Sequence, residues 1–158
     1  MSAVILYTTK YGTAEKCAGI LQKKASDSVQ SVNIKDSPEF DLTPFSTVVL
    51  GASVYVEKIQ REMSAFCEKN REELLKKKIG LYICSGDTGK AGRGYLKLFG
   101  KDIHNHAISK KLFGSEIYWE KMNPIEKLAM RIIKKSKGSS SDLQMTAIDD
   151  FVAEMKLK

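Results

Sequence analysis

The chain has 158 residues, 42% of them hydrophobic, with 26 Lys and Arg against 19 Asp and Glu for a net charge of +7. That is one domain's length over 1–158 and enough to close a core, and the apolar fraction excludes a disordered chain. The basic residues are scattered and carry no base-reading motif, so no nucleic acid is expected, and no apolar run approaches the ~20 residues that span a bilayer.

In chain order, residues 3–8 form a continuous apolar run, the pattern of a strand buried on both faces. Residues 13–25 place Ala14, Cys17, Ala18 and Leu21 at helical spacing, and 29–34 alternate as a strand nearer the sheet edge. Pro38 and Pro44 make the crossover over 36–44 short or irregular. Residues 47–51 predict a buried strand, 58–76 a helix, 79–84 another buried strand, and 93–105 a helix. A fifth strand is predicted over 112–119, then helices over 123–136 and 146–157, the last opened by a capping box of Thr146 and Asp149.

Strands alternating with helices predict a three-layer α/β fold with a doubly wound, five-stranded parallel sheet in the order 2-1-3-4-5. Polar loops follow the first, third and fourth strands, and in that order they converge at one end of the sheet. The first loop, Thr8-Thr9-Lys10-Tyr11-Gly12-Thr13, runs from a strand into a helix N-terminus. Free N–H groups, the helix dipole, threonine hydroxyls and a glycine able to adopt positive φ make that an anion site. There is no G-x-G-x-x-G and no G-x-x-x-x-G-K-[ST], so a dinucleotide fingerprint and a P-loop are set aside, and a terminal phosphate monoester is the better guest.

Cysteines at 17, 67 and 84, odd in number and without C-x-x-C spacing, argue for a reducing, cytoplasmic setting. The start shows no basic n-region of a signal peptide. His104 and His106 are read as solvated residues, and no metal is expected.

The chain resembles the flavodoxin-like family, in particular the small flavodoxin-domain branch that includes bacterial menaquinone-dependent protoporphyrinogen oxidase. The resemblance rests on Thr8 to Thr13, on Leu50-Gly51-Ala52-Ser53-Val54-Tyr55, and on the block from Lys121 to Gly138 followed by the helix at Thr146. It implies FMN as cofactor. The phosphate would sit on Thr9, Lys10, Tyr11, Gly12 and Thr13 and on the amide of Ala14. The ring would lie between Ala52-Ser53-Val54-Tyr55 and Ser85-Gly86-Asp87-Thr88-Gly89, with Tyr55 as the aromatic contact.

The implied function is flavodoxin-type electron transfer between partner proteins or small redox substrates. Two alternatives stand beside it: a quinone-coupled protoporphyrinogen oxidase-like enzyme, and a flavin-less binding or regulatory domain. Three positions depart from the family pattern. Ala14 replaces a hydroxyl donor, Glu57 stands where relatives often carry glycine, and residues 85–100 are too short for the oxidase's insertion.

The segment from Trp119 to Lys137 carries six basic residues (Lys121, Lys127, Arg131, Lys134, Lys135 and Lys137) against Glu120 and Glu126, a net of +4. With Ile125, Leu128, Ile132 and Ile133 at helical spacing, helix 123–136 reads either as core packing with a solvated basic face or as a surface for an acidic redox partner or an anionic membrane.

Overall fold

A computed structural model describes residues 2–26, 28–117, 119–133 and 140–158. The apolar run near the start becomes β1 (Ala3–Tyr7), every residue of it buried, and it feeds α1 (Thr13–Lys24). Then follow β2 (Gln30–Asn33), β3 (Thr47–Ser53), α2 (Arg61–Lys69), the single turn α3 (Arg71–Leu74) and β4 (Lys78–Cys84). A broken helical stretch comes next, with α4 (Lys90–Tyr95), a 3-10 turn (Leu96–Phe99) and α5 (Lys101–His106). The chain closes with β5 (Ser109–Ile117), a 3-10 turn (Trp119–Lys121), α6 (Pro124–Ile133), β6 (Ser140–Leu143) and α7 (Met145–Met155).

The sheet order is β2-β1-β3-β4-β5-β6, parallel from β2 to β5. Side chains alternate across it. Val4, Leu6, Val48, Leu50, Leu81 and Ile83 face a layer containing Met63, Phe66, Phe99 and Ile103. Ile5, Val49 and Tyr82 face Cys17, Leu21, Phe151 and Met155 of α1 and α7. Two apolar layers on one two-sided sheet give the expected three-layer α/β architecture, and the runs in β1, β3 and β4 are apolar throughout because both faces are covered.

Several details differ from the sequence reading. Among the described residues the sheet has six strands, because β6 adds antiparallel to β5 through Gly114↔Leu143 to Ile117↔Ser140. Its Ser-Ser-Asp-Leu sequence has no strand periodicity, so pairing with a neighbour and not propensity makes it a strand. The helix expected over 58–76 starts at Arg61 and breaks at Asn70, whose backbone N–H and side-chain amide both donate to Phe66 O, at 3.0 and 2.9 Å. The helix expected over 93–105 begins at Lys90 and breaks at Gly100, which adopts φ 121. The fifth strand covers 109–117 and not 112–119. Thr146 lies inside α7, whose N-cap is Gln144 with no side-chain cap bond, so the capping box does not form. Residues 134–136 of the helix expected over 123–136 lie outside the described residues.

At Gly114 the β4–β5 register shifts, with Ile83 opposite Leu112 but Cys84 opposite Gly114. Gly114 has φ 85, and a Cβ there would stand 2.0 Å from Asp142 O, so only glycine lets β6 close against this bulge. No helix among the described residues is long and apolar enough to cross a membrane.

Candidate functional site

Beyond the carboxyl ends of β1, β3, β4 and β5 lies a cavity of about 360 Å³, within the range of small-molecule sites. The turn after β1 contributes Lys10, Tyr11 and Thr13, and β3 with its loop contributes Ser53 to Val56. Cys84, Ser85 and Gly86 come from the end of β4, and Ser115 and Glu116 from β5. Met122, Glu126 and Ala129 reach in from the segment after β5.

The turn after β1 is held from beneath. Thr8 N–H donates to Gly51 O at 3.1 Å, and the Tyr82 hydroxyl donates to Ala14 O at 2.8 Å. Gln60 bridges the first two loops: its Oε1 accepts from the Thr8 hydroxyl (2.9 Å) and Ser53 N–H (3.2 Å), and its Nε2 donates to Ser53 O (3.0 Å). The Thr8 hydroxyl, read from sequence as a donor to the guest, is thus committed to Gln60. Gly12 takes φ 109, and its N–H donates to Thr9 Oγ1 at 2.9 Å. The N–H groups of Thr13, Ala14 and Glu15 have no backbone acceptor among the described residues. They are the orphan donors of the α1 N-terminus.

The second loop is a two-residue turn in which Tyr55 and Lys58 exchange backbone bonds of 2.8 and 3.1 Å. Val56 and Glu57 between them have φ 49 and 61, the left-handed region, where a side chain costs about 1–2 kcal/mol per residue. Tyr55 meets Tyr11 edge-on at 6.2 Å, and Lys10 Nζ lies 4.6 Å from the centre of the Tyr55 ring. The Tyr11 hydroxyl donates to Glu126 Oε2. That bond holds the Glu126 carboxyl below its ordinary range, while burial and then the same bond push the Tyr11 phenol up.

The third loop reaches the cavity only through Ser85 and Gly86. Asp87 N–H donates to Ser85 Oγ and Gly89 N–H to Asp87 Oδ1, a self-contained turn that keeps Asp87 and Gly89 off the lining. Thr88 lines a separate depression with Arg93 and Lys110. Thr9, Gly12, Ala14 and Ala52 support the walls without lining them, Ala14 and Ala52 being buried.

Four features lay beyond the sequence reading. Gln60 lies 52 positions from Thr8 and Glu126 lies 115 positions from Tyr11. Glu116, with only 7% of its side chain exposed, pairs with Lys16 at 2.9 Å at the cavity wall. Ser53 Oγ is buried with no hydrogen-bond partner among the described residues. Cys84 Sγ rests 3.6 Å from Cys17 Sγ, and that contact together with burial holds the Cys84 thiol well above its usual range.

A parallel sheet in the order 2-1-3-4-5 with its cavity at the crossover of β1 and β3 defines a doubly wound, flavodoxin-like protein. The chain belongs to the flavodoxin domain family, whose model matches residues 4–144. Among solved structures it is similar to the flavodoxin of Megasphaera elsdenii, with 21% identity over 72% of this chain and 82% of that one, at a TM-score of 0.54. It is similar to a Lactobacillus acidophilus flavoprotein in complex with FMN, with 10% identity over 72% and 91% of the two chains and a TM-score of 0.51. The Desulfovibrio gigas rubredoxin oxygen:oxidoreductase matches at 15% identity and a TM-score of 0.52 over 70% of this chain, which spans only 30% of that one. At these identities the likeness is one of fold. No curated protein sequence matches the chain.

Proposed function

We propose that the protein binds FMN noncovalently at the cavity and serves as a flavodoxin-type redox protein. The observation that carries this is a set of unspent donors where β1 and β3 end: Ser53 Oγ, buried with no partner among the described residues, and the N–H groups of Thr13 to Glu15 at the start of α1. Buried polar groups rarely go unsatisfied, and a phosphate monoester with its ribityl chain offers the acceptors they lack. The Lactobacillus flavoprotein's own FMN supports the reading at the level of the fold. When bound, the flavin supplies the one- and two-electron chemistry.

The chain's residues do the rest. Thr13 and the α1 amides, backed by Thr9, would hold the phosphate end, and Tyr55, Val54 and Gly86, which line the cavity, would flank the ring. Met122 and Ala129 keep water from its outer side. Titrating purified apoprotein with FMN and with riboflavin tests the reading. FMN should bind more tightly; equal affinities would remove the phosphate turn, and no binding of either would leave the flavin-less domain.

A second reading is favoured by one observation. Ile125 and Leu128 on α6 are 79% and 57% exposed beside the cavity mouth. Such an apolar rim suits exchange with a partner at a membrane, as in a quinone-coupled oxidase of the protoporphyrinogen type, or docking of an acidic redox protein. A quinone-linked turnover assay on the flavin-loaded protein separates these from a soluble carrier.

A further inference from the structure

At the α1 N-terminus the turn after β1 offers an anion neutral groups, the hydroxyls of Thr9 and Thr13 and the amides that begin α1. The lysine that the sequence puts inside it is drawn elsewhere, since Lys10 Nζ lies over the Tyr55 and Tyr11 rings, 4.6 and 5.5 Å from their centres. A different lysine stands at the turn. Lys121, in the 3-10 turn after β5, donates from Nζ to Tyr11 O at 2.9 Å, across 110 positions of sequence. The same Nζ would lie 3.4 Å from a Cβ on Gly12, so the ammonium rests against the residue that caps α1.

The surrounding contacts hold it there. Asn123 Oδ1 accepts from Glu126 N–H at 2.8 Å, and Glu126 Oε1 accepts from Asn123 N–H at 3.1 Å, a reciprocal cap with Pro124 as the first helical residue. The other oxygen of Glu126 accepts the Tyr11 hydroxyl, so the start of α6 is pinned to the turn on which Lys121 lies. Independently, Ser53, 7% exposed and with no partner for its Oγ among the described residues, lines the cavity that Tyr11 and Thr13 of this turn also line.

We infer that Lys121 is an anion-binding residue of this site, supplying from the segment after β5 a formal positive charge to the phosphate held by the turn after β1. The inference rests on the FMN reading and adds the residue that selects FMN over riboflavin. A phosphate monoester carries about −1.5 to −2 at pH 7, and a charge-assisted bond is about twice as strong as a neutral one. Tyr11 O is a neutral acceptor within reach of that ammonium, and a phosphate oxygen in the turn replaces or shares it. The segment after β5 then closes the site by charge as well as by cover.

Flavin fluorescence titrations of wild type, Lys121→Gln and the control Lys23→Gln test this. Lys121→Gln should weaken FMN about tenfold and shift riboflavin by less than twofold, with Lys23→Gln unchanged. FMN affinity in the wild type should fall with salt more steeply than in Lys121→Gln. Acetylation by acetic anhydride, read by mass spectrometry, avoids any folding defect: FMN should protect Lys121 and riboflavin should not. Unchanged affinity with Lys121 still acetylated overturns the inference and leaves the FMN reading standing. If the wild type binds no flavin, that reading falls; inorganic phosphate that protects Lys121 would still support the anion site, and absence of protection overturns it.

Discussion

The phenol of Tyr11 donates to the carboxylate of Glu126 across 115 positions of sequence, fastening α6 to the turn after β1. The bond needs a protonated phenol and a charged carboxylate. Glu126 has a depressed folded-state pKa, so its contribution is present above the ordinary 4.5 and is lost as pH falls through the lower folded value. Tyr11 is raised from 10.0, so its contribution is complete below that value and is lost as pH rises through the folded one. Amide hydrogen exchange over Ile125–Ala129, corrected for its intrinsic pH dependence, should therefore be protected evenly from about pH 5 to 9. Tyr11→Phe should speed it about fivefold, the effect of one modest hydrogen bond. Equal protection in the variant would show that α6 is held by packing alone.

Gly51 sits where β3 passes Tyr82, and a Cβ there would stand 1.9 Å from the ring's Cζ. The ring cannot yield easily. It is fully buried, stacked on Phe113 at 4.7 Å, and bonded through its hydroxyl to Ala14 O. Gly51→Ala should cost about 3 kcal/mol or more, combining overpacking with a lost buried bond. Urea unfolding reads this directly, and a loss under about 1 kcal/mol would mean that the core repacks without strain.

The sign of Ser53→Ala distinguishes a binding hydroxyl from a structural one. Its Oγ is buried and has no partner among the described residues, so removing it should leave the apoprotein unchanged or stabilise it by about 1 kcal/mol. FMN affinity should fall in the same variant, because the hydroxyl's partner arrives with the ligand. A destabilised apoprotein with undiminished FMN binding would contradict both halves.

What could be read from sequence follows from how local each cause is. Strands β1, β3 and β4 are buried on both faces, so their runs announce themselves, and the hydroxyls and glycine after β1 mark a helix-terminus turn. Strand β6 could not be read, because its pairing with β5 is a tertiary choice that Gly114 permits and Ser-Ser-Asp-Leu does not advertise. Gly100 inside the helical pattern of 93–105 was an available signal for the break that occurs there. At the site, Thr13 lies in the loop whose composition singled it out and Tyr55 in the loop that the family resemblance singled out, and both line the cavity. Gln60, Glu126 and Lys121 act through contacts 52, 115 and 110 positions away, which no periodicity encodes.

Glu57 tests the strain in the second loop. With φ 61 it occupies a conformation that costs a side chain about 1–2 kcal/mol, and it is exposed. Glycine removes that cost but adds about 0.5–1 kcal/mol of chain entropy in the unfolded state. Glu57→Gly should thus gain about 0.5–1 kcal/mol in a denaturant titration. A loss would show that the turn is held by contacts of the Glu57 side chain.

The last prediction concerns the outer face of α6. Met122, Glu126 and Ala129 turn toward the cavity, which leaves Ile125 and Leu128 on the outside at 79% and 57% exposure. The apolar side chains that the core could have claimed are therefore not all spent on it. Burying two such residues at an interface is worth about 3 kcal/mol, and each nearby lysine adds about 1 kcal/mol at an anionic surface. The protein should therefore sediment with vesicles rich in anionic lipid and not with neutral ones. Ile125→Asp combined with Leu128→Asp should abolish that binding while leaving FMN affinity within about twofold, since neither side chain lines the cavity. Sedimentation indifferent to the double substitution would place the contact elsewhere. Absence of binding to either vesicle would direct the apolar rim to an acidic redox protein, and a pull-down at low and high salt would then decide whether charge draws that partner in.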